Sequence, residues 1–205
     1  MKKLLIFILL LVNSTVLCAA DYVEGTHYKK VPQQPTSTGD KIEVLEFFWY
    51  GCPHCFHFEP FIESWNKNKP ANVEFVRIPA VFRPDWEVQA RTYYALSNMG
   101  VIEDLHGKIF EAIHKYRIKL NSMDAMADYV SNFGVNRDDF IKEYSSFAVD
   151  SMVRKGKKLQ QAYKIEGVPA VVVNGEYLTS GAMSGSFDNL IKIINYLTQK
   201  AAKEK

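Results

Sequence analysis

The spacing of hydrophobic and polar residues predicts strand, helix and strand in the first half of the chain. Residues 42–49, IEVLEFFW, are apolar or β-branched on both faces, which is typical of a central strand. Pro53 suits the first turn of a helix that we expect from about Cys52 to Lys67. Residues 73–78, VEFVRI, have the pattern of a second strand. Together these segments predict a β-α-β unit with Cys52 at the carboxyl end of its first strand.

Helical spacing then dominates from residue 85 to residue 165. Glycines at positions 100 and 134 follow two of the predicted helices, where glycine commonly ends a helix. Asn136 is a good N-cap for a short helix over residues 137–145. The last helix of the block lies within residues 147–165. Its apolar face consists of Val149, Met152, Val153, Gly156, Leu159 and Tyr163.

Strand patterns return after the helical block. Residues 170–173, AVVV, and 176–178, EYL, flank an Asn-Gly turn and predict a β-hairpin, while residues 186–203 predict a closing helix. Residues 21–41 are polar and predict an extended lead-in. Because strands lie before and after the helical block, the two ends have the parts of one α/β domain. The helical block is therefore predicted to be an insert.

The first twenty residues have the pattern of an export signal. Two lysines precede the apolar run Leu4–Val12, and small residues favour cleavage after about Ala20. The run is too short to span a membrane, which takes about 20 apolar residues. Lipid attachment at Cys18 is the alternative, and Leu17 disfavours it because a small residue is expected before such a cysteine.

Composition describes an ordinary globular protein of 205 residues, with 47% hydrophobic and 23% charged residues. The formal net charge of +2 comes from the two lysines of the leader, so the mature chain is formally neutral and nothing indicates nucleic-acid binding. Removal of the leader also leaves two cysteines, Cys52 and Cys55. A disulfide across a two-residue gap constrains the unfolded chain very little, so a purely structural bridge is a poor interpretation.

A metal or haem site is also a poor interpretation of the motif. Cys52, His54, Cys55 and His57 lie on about one helical turn and cannot enclose a tetrahedral ion, and no second pair stands at finger spacing. A c-type haem requires histidine directly after the second cysteine, where the chain has Phe56.

A redox pair agrees with the remaining features. Cys52 is expected at a helix N-terminus, where unpaired N–H groups and the helix dipole favour the reactive thiolate. Cys55, one turn further and more buried, is placed to resolve a mixed disulfide at Cys52. His54 is either an ordinary surface histidine or a charge or hydrogen-bond donor beside the sulfur.

Glu46 places an acid among apolar neighbours on the first strand. It is either a partly solvated strand end or a buried carboxylate with a raised pKa that moves a proton for Cys55. Arg77, on the next predicted strand, is a possible partner. Sequence spacing alone gives no special role to the Val168-Pro169 bond.

The segments VLEFFWYGCPHCFHFEP (44–60) and GVPAVVVNG (167–175), with a helical insert between them, resemble the DsbA family of bacterial thiol:disulfide interchange proteins. The resemblance extends from about Tyr22 to the C-terminus. It implies an α/β thioredoxin fold with an inserted all-helical domain. The expected segments are a signal peptide over 1–20, one discontinuous thioredoxin-like domain over 21–82 and 166–205, and the helical insert over 83–165.

The same resemblance implies a periplasmic oxidase that donates its disulfide to reduced, unfolded exported proteins through a mixed disulfide. The implied site residues are Cys52 as the exposed nucleophile, Cys55 as the resolving cysteine, Pro53, His54 and Glu46 as supporting residues, and Val168 and Pro169 as substrate-binding residues joined by a cis bond. His54 would stabilise the Cys52 thiolate. No cofactor beyond the redox-active disulfide is implied, and the expected state is a monomer reoxidised by a quinone-linked inner-membrane partner resembling DsbB.

Three alternatives remain open at this point. A thioredoxin-like reductase would more often carry Gly-Pro between its cysteines. An isomerase resembling DsbC would need an N-terminal dimerisation module, for which the stretch between Asp21 and Cys52 leaves no room. A non-enzymatic binding module would not need two cysteines placed in this way.

Overall fold

The computed structural model describes residues 22–204, and the predicted signal peptide lies outside them. Its strands form one mixed sheet in the order β1-β5-β4-β2-β3. The strands are β1 (Lys29–Lys30), β2 (Ile42–Phe48), β3 (Val73–Pro79), β4 (Ala170–Val173) and β5 (Tyr177–Ser180). β2 pairs parallel with β3 and antiparallel with β4, which in turn pairs antiparallel with β5. The predicted β-α-β unit and C-terminal hairpin are thus confirmed.

Helices cover the sheet and form the block between β3 and β4. They are α1 (Pro53–Asn68), α2 (Glu87–Asn98), α3 (Ile102–His114), α4 (Met123–Ser131), α5 (Arg137–Tyr144), α6 (Phe147–Ala162), α7 (Gly181–Ser184) and α8 (Phe187–Glu204), with a 3₁₀ turn over Pro84–Trp86. Asn136 caps α5, as predicted, by accepting hydrogen bonds from the N–H groups of Asp138 and Asp139, both at 3.0 Å. None of the helices within residues 22–204 combines the length and apolar character that crossing a membrane requires.

β2 is the centre of the molecule, and all seven of its residues are buried. Its Val44 side packs against α1 and α8, through residues such as Phe58 and Leu197. Its Leu45 side packs against the segment that follows α6, where Tyr163 is fully buried. Burial on both faces explains why the strand reads as a nearly continuous apolar run.

A third hydrophobic cluster joins the carboxyl end of β2 to the helical block. Phe48, Tyr50 and both motif cysteines belong to this cluster, together with residues of α2 to α6. The cysteines therefore lie where the sheet, α1 and the helical block meet. The predicted boundaries of the helical insert as a separate domain stay a prediction.

Two short elements were not predicted, and one strand is shifted. β1 consists of two lysines paired with β5 at the edge of the sheet, so its sequence carries no apolar alternation. α7 has only four residues, too few for a helical period. The expected strand over 176–178 is observed as β5, Tyr177–Ser180. It starts one residue later because Glu176 belongs to the turn, and it ends two residues later.

Candidate active site

Cys52 forms the N-cap of α1, and Pro53 begins the helix. The Cys52 Sγ atom accepts a hydrogen bond from the Cys55 backbone N–H at 3.3 Å, which uses one of the N–H groups left unpaired at a helix start. Both cysteines are unbonded thiols. Extended backbone at Cys52 followed by proline thus fixes the first sulfur at the mouth of the helix and the second one turn inside it.

The exposure of the two cysteines corrects one expectation. Cys52 is more accessible than Cys55, at 7% against 1%, but it is not openly exposed. The loop before β4 lies close to it, since its Sγ is 3.5 Å from the carbonyl oxygen of Val168. This loop therefore covers part of the surface around the Cys52 sulfur.

The two thiols have opposite acidities. A hydrogen bond from the Cys55 thiol lowers the pKa of Cys52 to about 6, helped by the N–H groups of Cys55 and His54, while burial opposes the shift. Burial, the hydrogen bond to Cys52 and the charge of Cys52 raise the pKa of Cys55 well above its ordinary value. At neutral pH the pair thus consists of a Cys52 thiolate and a Cys55 thiol, and the thiol donates a hydrogen bond to the thiolate.

His54 lies on the exposed side of the motif. Its charge lowers the Cys52 pKa less than the hydrogen bonds do. Those bonds come from the Cys55 thiol and from the backbone N–H groups of Cys55 and His54. The histidine is therefore close enough to act on the sulfur, but the helix start acts more strongly.

The Val168–Pro169 bond is cis, as expected from the family resemblance. Both residues line a cavity of about 760 Å³ that also includes His54, Met183 and Phe187. The cavity is open on one side and mainly apolar, and the carbonyl oxygen of its lining residue Val168 lies 3.5 Å from the Cys52 Sγ atom. This combination can accept an extended peptide segment with apolar side chains.

Glu46 lies in a buried ion cluster behind the cysteines. Its Oε2 accepts a hydrogen bond from Arg77 Nε at 3.1 Å, so the predicted partner is confirmed and the solvated strand end is wrong. Arg77 Nη2 also donates to Glu59 at 2.9 Å and to Glu63. We call Glu46, Glu59, Glu63 and Arg77 the Arg77 cluster.

One guanidinium faces three carboxyl groups in this cluster, and burial is the largest influence on the pKa of two of them, Glu46 and Glu59. Burial raises the pKa of Glu46 to about 8, with the charge of Arg77 opposing and that of Glu59 adding to the shift. Burial likewise raises the pKa of Glu59 to about 7. The charge of Glu46 is among the influences that raise the pKa of Cys55, which links the cluster to the inner thiol.

Glu59, Glu63 and His106 also lie in this region and were not predicted as site residues. Glu59 and Glu63 follow Cys55 at intervals of four along α1, a helical spacing that could have indicated a shared face. His106 gave no signal, because its approach to Glu59 depends on how α3 packs against α1. Within residues 22–204 no group of three or more His, Cys, Asp or Glu side chains is arranged to hold a metal ion.

Comparisons with known proteins agree with this geometry. A family profile described as a DSBA-like thioredoxin domain matches residues 43–192. The thiol:disulfide interchange protein DsbA of Pseudomonas aeruginosa is 43% identical over 183 residues, 89% of this chain and 87% of that protein. The thiol:disulfide interchange protein DsbA of Azotobacter vinelandii is 41% identical, over 90% of this chain and 86% of that protein. Superposition on the crystal structure of Pseudomonas aeruginosa DsbA gives a TM-score of 0.86. The aligned region covers 91% of this chain and 99% of that chain.

Proposed function

Since this chain belongs to the DsbA-like family of thioredoxin-fold proteins and is a thiol:disulfide oxidoreductase, we propose that it oxidises other proteins by donating a Cys52–Cys55 disulfide. The unequal acidity of the two thiols is the observation that favours oxidation of substrates over their reduction. Stabilising the Cys52 thiolate stabilises the reduced protein, and a thiol of low pKa is also a good leaving group. Both effects favour passing the disulfide on.

The reaction has two exchange steps. A substrate thiolate attacks Cys52 Sγ, the Cys52–Cys55 bond breaks, and Cys55 leaves as a thiolate. A second substrate thiolate then attacks the substrate sulfur of the mixed disulfide and releases Cys52 as a thiolate. Two electrons pass to the protein, and the substrate gains a disulfide.

Proton supply at Cys55 is the role we assign to Glu46. The Cys55 thiolate is unfavourable in its buried position, so it must take up a proton as it leaves. A protonated Glu46 behind the cysteines supplies that proton, because burial keeps its carboxyl neutral at neutral pH. His54 and Pro53 support the outer sulfur, one by its charge and N–H and the other by starting the helix.

Substrate binding is assigned to Val168, Pro169 and the adjoining apolar cavity. The Val168 carbonyl lies beside Cys52, where it can pair with the backbone of an extended substrate. Backbone pairing is independent of side chains, so it suits an enzyme that accepts many sequences. The substrate class is reduced, unfolded exported protein.

The predicted leader over residues 1–20 directs this activity to the periplasm, where disulfides persist. Continued turnover then requires an oxidant for the reduced protein. We propose a quinone-linked inner-membrane protein resembling DsbB in that role, with no dissociable cofactor on this chain.

The redox equilibrium of the purified protein with glutathione tests the proposal. We expect the reduced protein to predominate even when oxidised glutathione is abundant. A mainly oxidised protein under the same conditions would indicate a reductase, and a pair that does not exchange would indicate a binding module. Oxidation of a reduced dicysteine peptide provides the matching activity assay.

A further inference from the structure

A buried histidine connects the helical block to the Arg77 cluster. His106 on α3 is only 4% exposed. Its Nδ1 lies 2.7 Å from the Tyr50 hydroxyl, and its Nε2 lies 3.4 Å from Glu59 Oε2. Nε2 has no hydrogen-bond partner among the described residues, so Glu59 is the polar group it faces. The ring thus contacts a tyrosine beside the cysteine motif through Nδ1 and faces, without a hydrogen bond, a carboxyl of the Arg77 cluster through Nε2.

The charged and titratable groups around this ring come from every neighbouring element. They are Glu46 and Arg77 from the sheet, Tyr50 from the loop after β2, Glu59 and Glu63 from α1, Tyr93 from α2, and Glu103 from α3. Burial and the charge of Arg77 hold the pKa of His106 well below its ordinary value, so the ring stays neutral. Aromatic rings of Phe48 and Phe110 pack edge-on against it at 5.1 and 5.2 Å.

A neutral imidazole has one donor nitrogen and one acceptor nitrogen. The Tyr50 hydroxyl can either donate or accept, and burial raises its pKa well above the ordinary value, so it keeps its proton. Two arrangements would give both ring nitrogens a hydrogen-bond partner if Nε2 and Glu59 align. An ionised Glu59 accepts from Nε2–H while Tyr50 donates to Nδ1. A protonated Glu59 donates to Nε2 while Nδ1–H donates to Tyr50.

We propose that His106 is a positioning residue for Glu59. The imidazole changes tautomer, with Tyr50 as the hydrogen-bond partner of its other nitrogen, and so lets Glu59 hold or release a proton during disulfide exchange. This inference rests on the proposed oxidase function. It adds to Glu46 a second proton-holding carboxyl, and it makes the helical block part of the redox machinery.

The proton balance follows from the exchange reaction. As Cys55 leaves, one proton moves from the Glu46 carboxyl to the Cys55 sulfur, and Glu46 becomes ionised. Ionised Glu46 and ionised Glu59 repel each other within the Arg77 cluster, so Glu59 takes up a proton. That proton enters from solvent beside Glu63, whose side chain is 29% exposed. The net change is one solvent proton taken up and one proton placed on Cys55.

Nitrogen-15 NMR of the histidine rings tests the tautomer exchange directly. In the reduced wild-type protein we expect His106 to stay neutral, with the proton on Nδ1 at acidic pH and on Nε2 at alkaline pH. The change should follow the Glu59 titration, near pH 7. One unchanging tautomer across this range, or an imidazolium, would overturn the proposal.

Variants then test the link to redox chemistry through the pH profile of the glutathione equilibrium. His106→Phe removes both nitrogens, and we expect the ratio of equilibrium constants at about pH 8 and pH 6 to change about tenfold, the effect of a one-unit pKa shift. His106→Gln, which can present a donor or an acceptor to Glu59, should recover most of the wild-type profile. Phe110→Leu, which alters only packing beside the ring, should lower thermal stability and leave the profile unchanged.

These outcomes separate the two proposals. A wild-type pair that is not oxidising contradicts the proposed function whatever the variants do. An oxidising wild type whose profile is unchanged in His106→Phe contradicts the role of His106 alone. If His106→Phe does not fold, Tyr50→Phe removes the second partner of the ring and should change the profile in the same way; no change in that variant would also overturn the proposal.

Discussion

The outer and inner sides of the cysteine pair place the same chemical group in opposite surroundings. On the outer side, hydrogen bonds from the Cys55 thiol and from N–H groups at the α1 start lower the pKa of Cys52 to about 6. On the inner side, Cys55 is 1% exposed beside the Arg77 cluster, and its pKa rises. Only two residues, Pro53 and His54, thus separate a thiolate site from a thiol site. Burial and hydrogen bonding, and not residue type, determine the two roles.

Removing the inner thiol should have the largest effect on this division of roles. In Cys55→Ala, Cys52 can still exchange with a substrate, but no second thiol is available to resolve the mixed disulfide. We expect loss of turnover and accumulation of covalent complexes, visible on non-reducing gels of periplasmic extract and removed by reductant. Cys52→Ala is the matched control. Greater trapping by Cys52→Ala would mean that the roles are reversed.

The outer thiolate should make the reduced protein more stable than the oxidised one, contrary to the usual effect of a disulfide. Because the folded pKa of Cys52 is lowered, its stabilisation is fully present above the unfolded thiol pKa and is lost as pH falls through about 6. The difference should be largest between about pH 6 and the unfolded thiol pKa, because the raised pKa of Cys55 opposes it at higher pH. Thermal melts of both forms at several pH values measure it. A higher melting temperature for the oxidised form at neutral pH would contradict the assignment.

Glu46→Gln tests the inner side by its effect on stability. The folded pKa of Glu46 is raised to about 8, so its contribution is fully present below the unfolded carboxyl pKa and is lost as pH rises through about 8. We expect the variant to lose less stability than wild type between mildly acidic and alkaline pH, measured by denaturant unfolding. Its exchange rate should fall, because the proton source for Cys55 is gone.

Glu43→Gln is the matched control for that variant. Glu43 is also buried on β2, at 2%, but it accepts hydrogen bonds from the N–H and hydroxyl of Ser37 at 2.8 and 2.6 Å. It lies on the face away from Glu46 and the cysteines. Similar changes in exchange rate for both variants would show that any buried charge on this strand matters equally.

The smallest expected effect is that of His54. His54→Ala should raise the Cys52 pKa by less than one unit, because the hydrogen bonds from Cys55 remain. His57→Ala, one turn along the exposed face of α1, should leave it unchanged. Thiolate absorbance against pH measures both variants. If His54→Ala removed the whole lowering of the Cys52 pKa, the histidine and not the hydrogen bonds from Cys55 would be its main cause.

Local patterns made part of this arrangement predictable. The apolar run of β2, the proline after Cys52 and the Asn-Gly turn are short-range signals, and each gave the correct element. The partnership of Glu46 and Arg77 also followed, because parallel strands place them in register. His106 and Tyr50 lie 56 positions apart, and their contact depends on how α3 packs, which one sequence does not reveal.

Alkylation of the reduced wild-type protein across pH tests the central claim most directly. Peptide mass spectrometry after brief labelling reports the two thiols separately. The unequal surroundings predict labelling of Cys52 alone at mildly acidic and neutral pH, with a rate midpoint at about 6, and an unreactive Cys55. Equal labelling of Cys52 and Cys55 in that range would contradict the account.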